Sequence, residues 1–168
     1  MLETIEEGST VELAIQSVAR HIRPSDPAGD DIAVKWLVKA LEICEGRNIN
    51  LLLYSDLSFW VERHEDAVRL CQRLNHPNLG IVFCGYHWYA VDGEDIQATL
   101  GEVAPYLRQV NLSGSRRSPL GFGNVATIEP LDVVSWTISH CSGRLKRSVL
   151  KEWLAIWDGW KEATLIVS

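Results

Sequence analysis

Positive charge is scarce in this chain: 16 lysines and arginines face 22 aspartates and glutamates, a net charge of −6. That balance removes the counterion release by which proteins gain affinity for nucleic acid, so DNA and RNA are not expected partners. Long apolar runs are also missing. Nothing approaches the ~20 residues of a membrane span, and the opening MLETIEEGST has neither a basic nor an apolar leader region. The expectation is a cytoplasmic protein with no membrane partner. Cysteine is sparse and scattered, at Cys44, Cys71, Cys84 and Cys141, with no CxxC or Cys/His zinc spacing, so these read as reduced thiols. What remains is an ordinary globular balance of 168 residues, 46% hydrophobic and 23% charged. A chain of that length buries roughly 70% of its unfolded surface and needs no staple.

Four short apolar runs recur, at Val11–Gln16, Asn50–Tyr54, Leu79–Cys84 and Leu107–Leu112. Each is too short for a helix and nearly continuous in hydrophobicity, the pattern of parallel strands covered on both faces. Their starts lie 39, 29 and 28 residues apart, the length of successive βα units. Between them, Asp30–Glu45 places Ile32, Trp36, Leu37, Ala40, Leu41 and Cys44 at helical steps, with Asp30 offered as the N-cap. Glu62–Leu74 repeats the pattern until His76-Pro77 stops it, and Asp95–Tyr106 is a third helical segment. Beyond Leu112, SGSRRSPLGFG reads as a loop, Val125–Glu129 as a fifth strand, and Leu145–Trp160 as a tail helix with an apolar stripe including Trp153, Trp157 and Trp160.

Parallel α/β sheets open their ligand crevice at the carboxyl ends of the strands. The residues there are polar, aromatic and cationic: Tyr54, Ser55 and Asp56 after the second run, Cys84, Tyr86, His87 and Trp88 after the third, Asn111, Ser113 and Ser115 after the fourth, and Glu129 after the fifth. Tyr54, Trp60, Tyr86 and Trp88 read either as a stacking wall for a sugar ring or as core packing. Cys84 reads as a small buried hydrophobe. His64 and Glu65, at a helix start, are expected in solvent. Arg116 and Arg117 read as surface cations or as an anion catch.

The stretch INLLLYSDLSFWVERHEDAVRLCQRLNHPNLGIVFCGYHWYAVDGEDI, followed by LRQVNLSGS, resembles the sugar phosphate isomerase/epimerase family, whose fold is the xylose isomerase-like TIM barrel. The resemblance runs from Val11 to Glu129 and is carried by FWVER-x-EDA at Phe59–Ala67, HPN-x-G at His76–Gly80 and GYHW at Gly85–Trp88. It implies an isomerase or epimerase acting on a sugar or polyol, with a divalent metal (Mn, Mg or Zn) at the barrel mouth. On this reading His87 and Asp56 are the catalytic pair, His87, Asp56 and Glu129 the metal ligands, and Tyr54, Trp88, Asn111, Ser113 and Arg116 the substrate contacts. The sequence departs from the family pattern where Tyr54, Cys84 and Asn111 replace an expected glutamate, aspartate and histidine. Catalysis is therefore expected to be weak or lost, the alternative being a carbohydrate-binding or structural remnant of the same fold.

A full (β/α)₈ barrel takes ~250 residues and rarely fewer than ~200. The fold expected for residues 1–168 is therefore a partial TIM-barrel-like parallel sheet with flanking helices, a single domain resembling the C-terminal part of such a barrel. Its Val11–Gln16 edge would be open to water. Either a homodimer closes it, or the N-terminal segment and the tail cover it.

Overall fold

The computed structural model describes residues 2–17, 19–91, 93–117, 126–129, 154–155 and 165–166. Four parallel strands form its centre: β1 (Thr10–Gln16), β2 (Asn50–Tyr54), β3 (Leu79–Cys84) and β4 (Leu107–Asn111), each hydrogen-bonded to the next in chain order. The crossovers carry α1 (Asp30–Gly46) and α2 (His64–Leu74), and then α3 (Gly85–Ala90) with α4 (Ile96–Val103). The architecture is a partial α/β barrel.

Two features depart from the expected pattern. The fifth strand does not extend the parallel sheet: β5 (Gly114–Arg117) and β6 (Ala126–Glu129) pair with each other as an antiparallel hairpin. The expected tail helix lies mostly outside the described residues. Where it is described, Leu154–Ala155 is a strand, β7, parallel to β4 at Val110–Asn111. A second two-residue strand, β8 (Leu165–Ile166), pairs with Ile15 and Gln16 of β1. These two short strands lie at opposite edges of the four-stranded sheet, β7 on β4 and β8 on the end of β1.

Alternation along the strands sorts side chains onto two faces. Val11, Leu13 and Ile15 of β1, Leu51 and Leu53 of β2, Ile81 and Phe83 of β3 and Val110 of β4 join Leu37, Leu41 and Leu70 of the helices in the main core. The opposite face holds Ala14, Leu52, Tyr54, Val82 and Cys84, flanked by Phe59 and Tyr86. A register shift between Ile81 and Val82 sets Gln109 against Val82 and Asn111 against Cys84, placing both amides on this second face. There Gln109 Nε2 donates to Glu12 Oε1, although β2 and β3 separate their strands. Three interstrand steps span about 14 Å in a flat sheet, so the contact requires this face to be concave.

The helices are tied by a charged cluster. Asp30 is not the N-cap of α1, a place taken by Gly29. Asp30 is instead buried, its carboxylate bridged by Arg69 at 2.9 Å and Arg73 at 3.4 Å, both from α2. Asp66 accepts from the backbone N–H groups of Arg63 and Glu62 and from Ser25 Oγ while pairing with Arg69 at 2.9 Å. The carboxylate therefore caps α2 and anchors the loop before α1.

Candidate functional site

β3 delivers its terminal residues to the mouth of the concave face. Cys84 turns directly into α3, a six-residue helix in place of the expected strand end, and its first turn presents Tyr86 and His87. His87 stands edge-on between two phenol rings, 5.4 Å from Tyr54 and 4.9 Å from Tyr86, both nearly perpendicular to it. Tyr54 in turn donates its hydroxyl to Cys84 Sγ at 3.3 Å, and Tyr86 donates to the carbonyl of Ala126 at 2.7 Å, which fastens the β5–β6 hairpin to α3.

Asp56 follows β2 in a turn closed by its backbone bonds to Val61 and Phe59. One carboxylate oxygen lies 3.5 Å from His87 Nδ1. The same nitrogen accepts the backbone N–H of Leu57 at 2.9 Å. A protonated imidazole has no lone pair with which to accept, so the shorter bond identifies the ring as neutral, its one proton on Nε2. Burial agrees, pushing the His87 pKa down to about 4. The His87–Asp56 approach is therefore a close contact of two acceptors rather than an ion pair.

His64, expected in solvent, is one of the most buried residues at 1% exposure. Its ring lies against Phe83 at 4.7 Å, and its Nε2 accepts the backbone N–H of Cys84 at 3.3 Å. Burial first, and then the nearby His87, depresses its pKa to about 3. Its neighbour Glu65 is exposed as expected. Cys84 is buried, which raises its thiol pKa and leaves it a small apolar group.

The other expected site residues divide. Asn111 is on the concave face, bonded through its amide to Gln109 and Glu12. Ser113 is half-buried just past β4, and Arg116 is exposed within β5. Glu129 ends β6, opposite Gly114 of the hairpin rather than on the parallel sheet. Trp88 is a correction: its indole belongs to the main core, packs over Gly93 and donates to Thr99 Oγ1 at 3.1 Å, so it is no wall for a ligand beside His87. Trp60 likewise is buried against Gly29 and donates to the carbonyl of Asp26 at 2.8 Å. The helical turn at Gly85–Ala90 explains the miss, because His87 and Trp88 stand about 100° apart around it. Glu12 and Gln109 escaped the sequence reading. Their signal was present, since Glu12 in VELAIQ and Gln109 with Asn111 in LRQVN occupy alternate positions.

A divalent metal fits these residues poorly. Among the described residues no three His, Cys, Asp or Glu side chains group together closely enough to hold an ion. A histidine that ligates through one nitrogen donates its other N–H to an acceptor. His87 Nδ1 faces a donor instead, the Leu57 amide, which reverses that arrangement. Tyr54 and Cys84 add a phenol and a buried thiol where the resemblance implies carboxylates.

The family profile described as xylose isomerase-like TIM barrel matches residues 8–133. No curated protein matches significantly. Similar solved structures include a xylose isomerase domain protein from Planctomyces limnophilus, 16% identical with a TM-score of 0.64, covering 95% of this chain and 51% of that one. A probable 3-DHS dehydratase from Bacillus anthracis, AsbF, involved in petrobactin synthesis, is 14% identical with a TM-score of 0.62, covering 81% of this chain and 53% of that one. A xylose isomerase-like TIM barrel protein from Mycobacterium smegmatis, in complex with magnesium, is 14% identical with a TM-score of 0.61, covering 94% and 54%. The chain thus spans about half the length of these structures.

Proposed function

This chain belongs to the xylose isomerase-like TIM barrel family, and from that premise we propose that it binds a sugar or polyol at the mouth of its concave face, with His87 as a neutral hydrogen-bond donor rather than a metal ligand. The observation that carries this reading is the Leu57 N–H donated to His87 Nδ1, which leaves Nε2–H as the ring's polar group. A ligand hydroxyl or carbonyl oxygen is the natural acceptor for that proton. The half-buried Tyr86 supplies flat apolar area beside it for a sugar ring, and Asp56 supplies carboxylate oxygens for its hydroxyls.

Isomerase or epimerase chemistry on the same ligand is the second reading, favoured by the 3.5 Å approach of Asp56 to His87. It needs a group that accepts a proton from carbon near neutral pH. A histidine whose pKa burial holds near 4 is a feeble base for that task, so turnover by this pair should be slow.

The test is a titration of the full chain with xylitol, D-xylose and D-ribose, with chelator and then with Mn²⁺ or Mg²⁺. Binding should persist in chelator, and His87→Ala should weaken it at least tenfold. ¹⁵N spectra of the imidazole should report Nδ1 unprotonated. A stoichiometric metal of micromolar affinity, or a ring protonated on Nδ1, would return the chain to the metal-dependent class.

A further inference from the structure

The concave face carries a second polar group, deeper than His87. Glu12 is on β1, in register with Leu52, whereas Gln109 and Asn111 are on β4. Gln109 Nε2 donates to Glu12 and also, at 2.9 Å, to Asn111 Oδ1. Asn111 Nδ2 faces both Glu12 oxygens at 3.4 Å. All three residues are half-buried, and the strands between them contribute Leu52 and Val82 to the same face.

The interior of such a barrel is ordinarily filled by layers of branched aliphatic side chains. A carboxylate and two carboxamides there replace part of that packing with groups that must be kept hydrogen-bonded. The Asn111–Glu12 distances exceed the 2.7–3.2 Å of a good N–H···O bond, so this half of the cluster is slack. A hydroxyl entering between them would accept from the amide and donate to the carboxylate, turning one long contact into two short ones. Inward-facing layers are separated by about 7 Å along a strand. Gln109 and Asn111, two positions apart on β4, therefore occupy successive layers, and an extended five- or six-carbon polyol is long enough to reach from the lower one to the mouth.

We propose that Glu12, Gln109 and Asn111 form a deep subsite that reads a pair of neighbouring hydroxyls on a polyol whose other end lies beside His87. The proposal rests on the sugar-binding reading above and adds three specificity-determining residues to it.

The experiment compares xylitol, D-ribose and 2-deoxy-D-ribose by ligand-observed NMR titration on wild type, Glu12→Gln, Gln109→Leu and His87→Ala. Wild type should hold D-ribose more tightly than the deoxy sugar. Glu12→Gln and Gln109→Leu should each raise the xylitol Kd about tenfold and flatten the difference between the two pentoses, with an unchanged near-ultraviolet circular dichroism spectrum. Wild-type affinities in both of these variants, alongside loss in His87→Ala, would overturn the deep subsite and leave the mouth reading standing. No binding of any probe by folded wild-type protein would overturn both. If Glu12→Gln and Gln109→Leu both unfold the chain, the cluster is a structural tie and the subsite is wrong.

Discussion

The two faces of one sheet are built to different rules. On the convex side, strand residues such as Leu53, Ile81 and Phe83 meet the inner faces of α1 and α2 with no exposure at all, in a continuous apolar core. On the concave side a much smaller apolar group, centred on Leu52 and Val82, shares the surface with Glu12, Gln109 and Asn111 and rises to Tyr54, His87 and Asp56 at the mouth. The same four strands hold the fold together with one set of alternate residues and present chemistry with the other. Substitutions on the first should register as stability, and substitutions on the second as binding.

The sharpest way to break that contrast uses two adjacent, fully buried residues that point to opposite faces. Phe83→Ala should cost about 3–5 kcal/mol and lower the melting temperature by roughly 10 °C. Val82→Ala, on the concave side, should cost less than half as much. Equal losses in chemical denaturation would mean that the concave face is packed as tightly as the convex one.

Acid tests both faces at once, because His64 lies against Phe83 of the main core and His87 against Tyr54 of the concave face. Both rings are neutral in the folded protein, with pKa values held near 3 and 4 by burial, whereas the unfolded chain takes up protons near 6.5. The unfolded state therefore binds more protons as pH falls below 6.5, and stability is lost on the acid side. Between pH 6.5 and 4.5 the loss should be roughly 2 kcal/mol per histidine. Urea midpoints across that range check the slope, and His64→Asn should remove about half of it. A flat profile would mean that the rings are not buried neutral.

Smaller effects are expected from the ties at the edges of each face. Asp66→Ala strips the α2 cap and leaves Arg69 with Asp30 alone, which should cost roughly 2–3 kcal/mol. Tyr54→Phe removes only the hydroxyl bonded to Cys84 Sγ, and its stability change should stay within about 1 kcal/mol. If Tyr54 lies beside a bound sugar, the Phe variant should still bind it, whereas Tyr54→Ala should not.

How much of this could be read from the chain depended on whether the signal was local. β2 and β3 read correctly to the residue, since a continuous run such as NLLLY or LGIVFC, buried on both faces, can be little else at that length. α1 was equally plain, but its cap was misjudged: Asp30 carries the capping residue type, yet the preceding turn over Pro27–Gly29 is capped by Asp26, and this frees Asp30 to meet Arg69. The partner lies 39 positions away, beyond the reach of a local pattern. His64 failed for a related reason. A histidine at a helix start is usually solvated, and only the packing of α2 over Phe83 buries it. At the candidate site, the residues following each strand were legible because topology fixes where they emerge. Their directions were not, so Trp88 was assigned beside His87 when the helical turn of α3 sends it into the core.

The two short strands near the C-terminus bear on the order in which the molecule assembles. β1 meets β2 across about 40 residues of chain, at pairs such as Ala14 with Tyr54, whereas its contact with β8 joins positions about 150 apart, Ile15 with Leu165. Closing the longer loop costs roughly 1 kcal/mol more in chain entropy, and among the described residues two residue pairs repay it. The β8 pairing is therefore expected to form after those of the central strands and to open before them. Native-state hydrogen exchange should find the β8 amides freeing well before those of β2 and β3, making the β1 edge a kinetic doorway to the concave face while the central strands stay shut.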